Sequence, residues 1–420
     1  MRYLYIYITL LYSVTVLGQE SIKSFSDFFP DNTSKINGVL PIYQNRGRLY
    51  MEFNRRLDGR EMVLQGQIDR GFNMIARPIK SLGVVKLSIP DSSTVVFLQP
   101  FYAERIIDAT SAYVNAFQLS NGPIVGQTYH AVAVSAMGNP IIDITDVVTC
   151  GMGWFDLSLY QNIRSVLPSM SRLTSVSESA EGVALTVERH YEVESEQYVY
   201  NSMAILLPSG SKPLWLSYAF RLLPSHDQPI RLAIPDVEVQ TISFLDYTQN
   251  PYTMVSDSLV MRWNTDRMCV FYIDSMMPRQ YQQAVSSGII DWNASLKKIG
   301  VSVRLIVKPI VTGFVAAELP IVVAYDLGAV GVSSQKIVHP RTGEILWCRI
   351  NIGHNPKHPI SSSQLAKDIK CEVASILGVD PKATDQQCIP ALKYLYYRPM
   401  HTTNVYKDRE RLYRLINQRK

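Results

Sequence analysis

Cysteine is scarce in this chain: five in 420 residues, at positions 150, 269, 348, 371 and 388. None falls in a C-x-x-C pattern, which argues against a close-spaced cysteine metal site. Two arrangements stay open, a bridge such as Cys371 to Cys388 or buried free thiols throughout. Charge is sparse too, with 18% charged against 47% hydrophobic residues. That balance argues against intrinsic disorder. Beyond the first 18 residues no run approaches the ~20 apolar residues needed to cross a bilayer. No cysteine follows that first run, so a lipoprotein anchor is not indicated. There is no internal repeat and no low-complexity segment.

What is present reads as an exported, folded protein of two or three domains. Residues 1–18 have the form of a signal peptide, with Arg2 ahead of an apolar stretch and Gly18 before Gln19. Residues 19–35 read as a flexible lead-in. From 36 to 250, short alternating runs lie between Gly, Pro, Asn and Asp, at 48–53, 62–68, 84–89, 94–98, 131–135, 183–187, 203–207 and 214–222. Strands at that spacing predict an antiparallel β-rich domain. A small helix is expected near 157–167, a serine-rich loop at 169–182 and a turn-like bridge at 248–260.

Residues 262–392 change character. Residues 270–274 read as a short buried strand. Residues 280–299 carry apolar side chains at helical spacing, interrupted only by Gly288, and Gly300 stops the helix. Residues 301–307 alternate like a strand, and residues 339–346 read as a turn feeding a strand through Ile352. A last helix opens at the Ser361–Ser363 cap cluster and runs to Leu377. Residues 371–381 within this stretch have the frame H-E-x-x-H-x-x-G-x-x-H with every histidine replaced. Cys371, Ser375 and Pro381 stand at the ligand positions, while Glu372 and Gly378 remain. On a helix, positions four apart share a face and can grip one ion. Catalytic zinc needs three protein ligands. Serine is a poor ligand at neutral pH and proline offers no side-chain donor. A water beside Glu372 without zinc keeps a pKa near ~15.7 rather than ~7.

The order of strand, helix, strand, turn-strand and motif helix resembles a zincin catalytic domain. The phrases VFYIDSMMPRQYQQAVSSGIIDWNASLKKIGV, VHPRTGEILWCRINIG and CEVASILGV are similar to the large bacterial zinc metalloproteases with an EcxA-like, metzincin-type zinc-binding domain. GVLPIYQNRGRLYMEFNRRLDGREMVLQGQID and IPDVEVQTISFLDY resemble the β-rich segment that precedes that domain. The resemblance implies an α+β protein, an antiparallel β-rich domain followed by a zincin-like α/β domain. It implies a vestigial general base in Glu372, lost zinc and no cofactor. It also implies a periplasmic or otherwise exported pseudoenzyme, with a peptide or protein held as an extra strand beside an edge strand near residues 346–352. Two other readings stand beside it. One is an active peptidase with a relocated metal site, using Glu372 with Cys371, His354 or His358. The other is an assembly module working through the β-rich domain.

Several features carry less. Asp143, Asp146 and Asp156 suit turns better than metal or acid chemistry. His190 and His226 have no partner at ligand spacing. A Cys371–Ser375 nucleophile pair lacks a histidine on its helix. From Lys393 to Lys420 there are eight Lys or Arg against two acids, within a net charge of +5. Export argues against nucleic acid as the partner of this basic tail, and a docked amphipathic helix is the plainer expectation.

Overall fold

The computed structural model describes residues 22–70, 79–108, 110–151, 163–179, 181–193, 195–200, 203–207, 209–224, 228–248, 253–310, 319–326, 331–353, 360–397 and 405–417. The signal peptide expected at 1–18 lies outside them.

The N-terminal half is dominated by one large, nearly closed, mostly antiparallel sheet. Gly182–Val193, Gly210–Leu222, Glu61–Arg70, Ile79–Ser88, Thr94–Gln99 and Ile124–Val134 lie side by side in that order. Pro140–Asp143, Arg48–Glu52, Ile42–Asn45 and Ser34–Ile36 continue it. Alternation drives the burial. Met62, Leu64 and Ile68 point into one core with Leu216, Tyr218, Phe220 and Leu185, and each such side chain contributes ~1.5–3 kcal/mol. All eight runs read as strands from the sequence fall on strands.

Some expectations for this half are corrected. The lead-in is built into the sheet from Lys23, because Lys23–Ser24 pairs with Ala133 and Val134 and Phe29 is buried among Tyr43 and Tyr50. Ile163–Val166 is a strand, not the end of a helix; residues 152–162 lie outside the described residues. The serine-rich loop is mostly the strand Arg172–Ser179, whose polar side chains alternate on an edge beside Gly182–Val193. Val255–Val260 is a strand paired with Thr241–Asp246, so the bridge is a hairpin.

Among the described residues, the second half carries parallel strands in the order Leu305–Pro309, Cys269–Ile273, Ile321–Asp326 and Glu344–Gly353, with the short Arg262–Trp263 also parallel to the start of the last. Val332–Val338 runs antiparallel along the far side of the last. Glu344–Gly353 is buried along its whole length. It is therefore interior, and the edge expected at residues 346–352 is instead Val332–Val338. Ile345, Cys348, Ile350 and Ile352 face helices Arg279–Ile290 and Ser362–Ile376, meeting Val285, Ile289, Ile369 and Val373 in one core. These helices pack closely because of Gly288. A Cβ there would lie 2.6 Å from the Ala366 carbonyl oxygen. The helix is interrupted at Asp291, not at Gly288. The strand expected at 301–307 begins only at Leu305.

The basic tail is not a separate unit. Lys393 belongs to helix Asp385–Tyr396, whose Tyr394, Leu395 and Tyr396 are core residues. Val405–Asn417 is a helix docked through Leu412, the Arg409–Asp257 ion pair and a Tyr406–Asp246 hydrogen bond. The docked-helix expectation holds there.

The two halves meet at Val63 and Leu223 from one side and Ile337, Leu346 and Trp347 from the other. Beside that contact, Glu61 accepts from Tyr102 Oη at 2.8 Å and Arg341 Nη2 at 2.9 Å. Arg105 donates to the carbonyls of Pro340 and Arg341. His339 is buried in this junction, and its Nδ1 accepts from the Arg341 backbone N–H at 3.1 Å. That bond places the ring proton on Nε2, 3.7 Å from Glu61, too far for a hydrogen bond. Burial first, then Arg341, hold the imidazole neutral and push its pKa down to about 4 against the pull of Glu61.

Two outcomes follow from these contacts. Gly288→Ala lowers stability by about 1–3 kcal/mol through overpacking, read as a drop in the thermal midpoint. His339 stays neutral in the fold but takes a proton below its ordinary pKa of 6.5 when unfolded. The unfolded chain then binds more protons, so stability falls as pH drops from about 6.5 to about 4. The loss from this group is at most ~3 kcal/mol. His339→Asn keeps an acceptor for the Arg341 N–H and flattens that part of the urea-midpoint profile.

Candidate functional site

The helix Ser362–Ile376 starts where the serine cluster predicts. Ser361 is the cap, and its hydroxyl accepts from the Gln364 N–H at 3.2 Å. It ends through Gly378, whose φ of +103° lies in the left-handed region. A second constraint acts on the same residue, since a Cβ would sit 2.1 Å from the Met261 carbonyl oxygen. The glycine of the motif frame therefore has both a turning and a packing reason.

The three degenerate ligand positions do not converge. Cys371 is exposed, and burial, Asp385, Asp368 and Glu372 all push its thiol pKa up, which disfavours the thiolate that binds metal. Pro381 is exposed beyond the turn, and Glu372 is half-buried. Ser375 alone lies in a polar cluster, 3% exposed.

That cluster is built by residues far apart in sequence. Residues 238–240, just before the hairpin strand Thr241–Asp246, cross the end of the motif helix. Gln240 N–H donates to Gly378 O at 2.8 Å, and Asp380 N–H donates to Glu238 O at 3.1 Å. The Gln240 side-chain amide shares its protons among Ser375 O at 2.7 Å, Val379 O at 2.6 Å and, at 3.2 Å, Ser375 Oγ. From the edge strand, Lys336 Nζ donates to Gln240 Oε1 at 2.5 Å, Ser375 Oγ at 2.7 Å and Ser375 O at 2.9 Å. An ammonium has three protons, and these acceptors take all of them. Burial lowers the Lys336 pKa, while Cys348, Glu372 and Asp380 pull it back up.

This donor set does not fit zinc. One position is an outward thiol, one a hydroxyl already bonded to an ammonium, and one a proline. At ~4 Å, each unit of like charge costs about 4 kcal/mol near a protein surface. A divalent ion on Ser375 would meet that repulsion twice over. The Ser375–Lys336 pair has the composition of a nucleophile and its base. Its surroundings oppose that use: Ser375 is sealed from solvent, and every ammonium proton is committed to an acceptor.

Other sequence candidates resolve into structural roles. Arg48 binds Asp143 at 2.6 Å and Asp146 at 3.2 Å, and Asp143 also caps the Thr145 N–H, so the turn reading applies. His190 has partners the sequence did not reveal, Glu188 at 3.2 Å and Ser211 at 3.1 Å, and Arg172 holds the second oxygen of Glu188. The five cysteines are free thiols. His226, His354, His358 and Asp156 lie outside the described residues. Among the described residues, no group of three or more His, Cys, Asp or Glu is placed to hold a metal ion.

Sequence reading missed both Lys336 and Gln240. The one signal for Lys336 was a single charge within the strand run VSSQKIV. Nothing local marked Gln240. No protein-family model, no curated protein and no solved structure matches this chain.

Lys336→Met fills the same space but leaves Gln240 Oε1 short of a donor. The expected loss is about 1–3 kcal/mol, read from urea unfolding. An unchanged or higher midpoint refutes the role of the ammonium as a lock.

Proposed function

We propose that this chain is an exported, metallopeptidase-like pseudoenzyme that binds extended peptides or proteins instead of cleaving them. The observation that carries the reading is the Lys336 ammonium seated on Ser375, at the second ligand position of the motif frame. In this reading a lysine charge stands where the related enzymes keep a metal, and Glu372 is a leftover base with no activated water to serve.

The element order supports the same ancestry. A strand, a helix, two further parallel strands, an antiparallel edge strand and an interior strand lead into the motif helix. The helix closes with a glycine at the position the metzincin-type frame requires. These agree with the resemblance of the EcxA-like segments.

The binding surface is the outer side of Val332–Val338, which pairs with no other described strand. An extended peptide can add there by backbone hydrogen bonds, which need no metal. The leader at 1–18 directs the protein to the periplasm or beyond, which fits a partner in the cell envelope.

The test has two arms. Zinc titrated into the purified, chelator-stripped protein is expected to show no stoichiometric uptake, and labelled casein is expected to stay intact. Stoichiometric zinc with chelator-sensitive hydrolysis overturns the reading in favour of a relocated site. In the second arm, a random-peptide library is panned on the protein. Backbone N–H groups of neighbouring strand residues point to opposite sides. Of Ser333→Pro and Ser334→Pro, the variant that removes the outward donor is expected to lose the captured peptides while melting as a folded protein. Capture that survives both variants removes the edge strand from the account.

A further inference from the structure

One end of the molecule carries no charge over two neighbouring stretches. Residues 109–128 contain no Asp, Glu, Lys, Arg or His, and neither do residues 247–256. The first stretch closes the excursion after strand Thr94–Gln99 and enters strand Ile124–Val134, where Ile124 and Val125 pair with Gln99 and Leu98. The second joins the hairpin strands Thr241–Asp246 and Val255–Val260 and takes in the first two residues of the latter. They touch: the Phe117 and Tyr247 rings lie 5.6 Å apart, and Ser111 Oγ donates to Thr248 O at 3.2 Å.

These stretches also hold several well-exposed apolar side chains. Leu119 is 89% exposed, Val125 62%, Ile124 61% and Met254 60%. Val255 and Phe101 are exposed as well. Single exposed apolar residues are ordinary, but several on neighbouring uncharged stretches mark an interaction surface. The acids nearest this end are already engaged. Asp108 caps Thr110, Asp246 accepts from Thr248 and Tyr406, and Asp257 pairs with Arg409.

A basic helix flanks the same end. Val405–Asn417 docks on the hairpin through those Asp246 and Asp257 contacts. Lys407, Arg411 and Arg414 stand exposed at spacings of four and three, which is one stripe of a helix. A protein partner is ordinarily met by an apolar centre with a mixed polar rim. An uncharged apolar tip with a cationic flank matches something else, a bilayer whose headgroups are anionic.

We propose that this end of the molecule docks on anionic lipid surfaces, with Leu119, Ile124, Val125 and Met254 entering the headgroup and acyl boundary. Aromatic residues Phe101, Tyr113 and Tyr247 lie where a membrane interface favours them. Docking holds the protein on the membrane without a spanning segment. The inference rests on different residues from the pseudoenzyme reading and stands or falls without it.

The test is co-sedimentation of the full chain with phosphatidylcholine vesicles, with and without roughly 30 mol% phosphatidylserine. Binding is expected with the anionic vesicles and weakens as salt rises. Leu119→Ser, Ile124→Ser and Val125→Ser combined are expected to lower binding at least tenfold, roughly, given three apolar anchors lost. Arg411→Glu with Arg414→Glu is expected to lower it about fivefold or more per residue. Both variants retain residues 1–18, so lipid binding by that apolar leader is measured as the residue left over. Thermal melts confirm that each variant is folded. Wild-type protein that stays in the supernatant overturns the proposal, as does a triple-serine variant that binds as wild type does. Loss of a wild-type dimer in the triple variant, with no vesicle binding by either, reassigns the patch to self-association.

Discussion

A charge drawn partly out of water needs partners, and two elements of the second half supply a full set to one lysine on a third. Lys336 sits on the edge strand, Ser375 on the long helix and Gln240 on the segment joining the halves. Its three protons tie these elements at one point. An unpaired ammonium there would cost several kcal/mol, so the three elements hold position together or not at all. Gly378 and Gly288 serve the same geometry by letting backbone come close where any side chain would intrude.

This arrangement separates two properties that a metal centre combines. A bound ion organises its ligands and also activates water. An ammonium hydrogen-bonded on all sides retains only the organising part. In the pseudoenzyme proposal, the scaffold stays stiff and the edge strand stays presented without the chemistry. Met254 and Val255 lie on the hairpin that follows Gln240 and the basic helix docks on it, so the proposed lipid contact and the proposed peptide edge are partly carried by linked elements.

Much of the fold was legible because periodicity is local. Every alternating run picked from the N-terminal half lies on a strand, and the cap at Ser361 and turn at Gly378 were readable from residue type alone. The failures have physical causes. Residues 172–179 are rich in serine, yet an edge strand tolerates polar side chains on both faces, so composition pointed to a loop. Residues 346–352 look like any apolar strand. Whether such a strand is an edge or interior depends on which neighbour folds beside it, a long-range fact. The polar cluster was invisible for the same reason: Gln240, Lys336 and Ser375 are brought together only by the completed fold.

The docking of the last helix constrains the order of assembly. Arg409 reaches back 152 positions to Asp257, and Arg231 reaches forward 163 to the Tyr394 carbonyl. As the polypeptide emerges from amino to carboxyl end, the hairpin and its neighbouring arginine remain unpartnered until those late residues have been made. Closure of this half therefore waits for residues 394–409, and the large sheet, whose described strands end at Leu222, is available as a template when it happens.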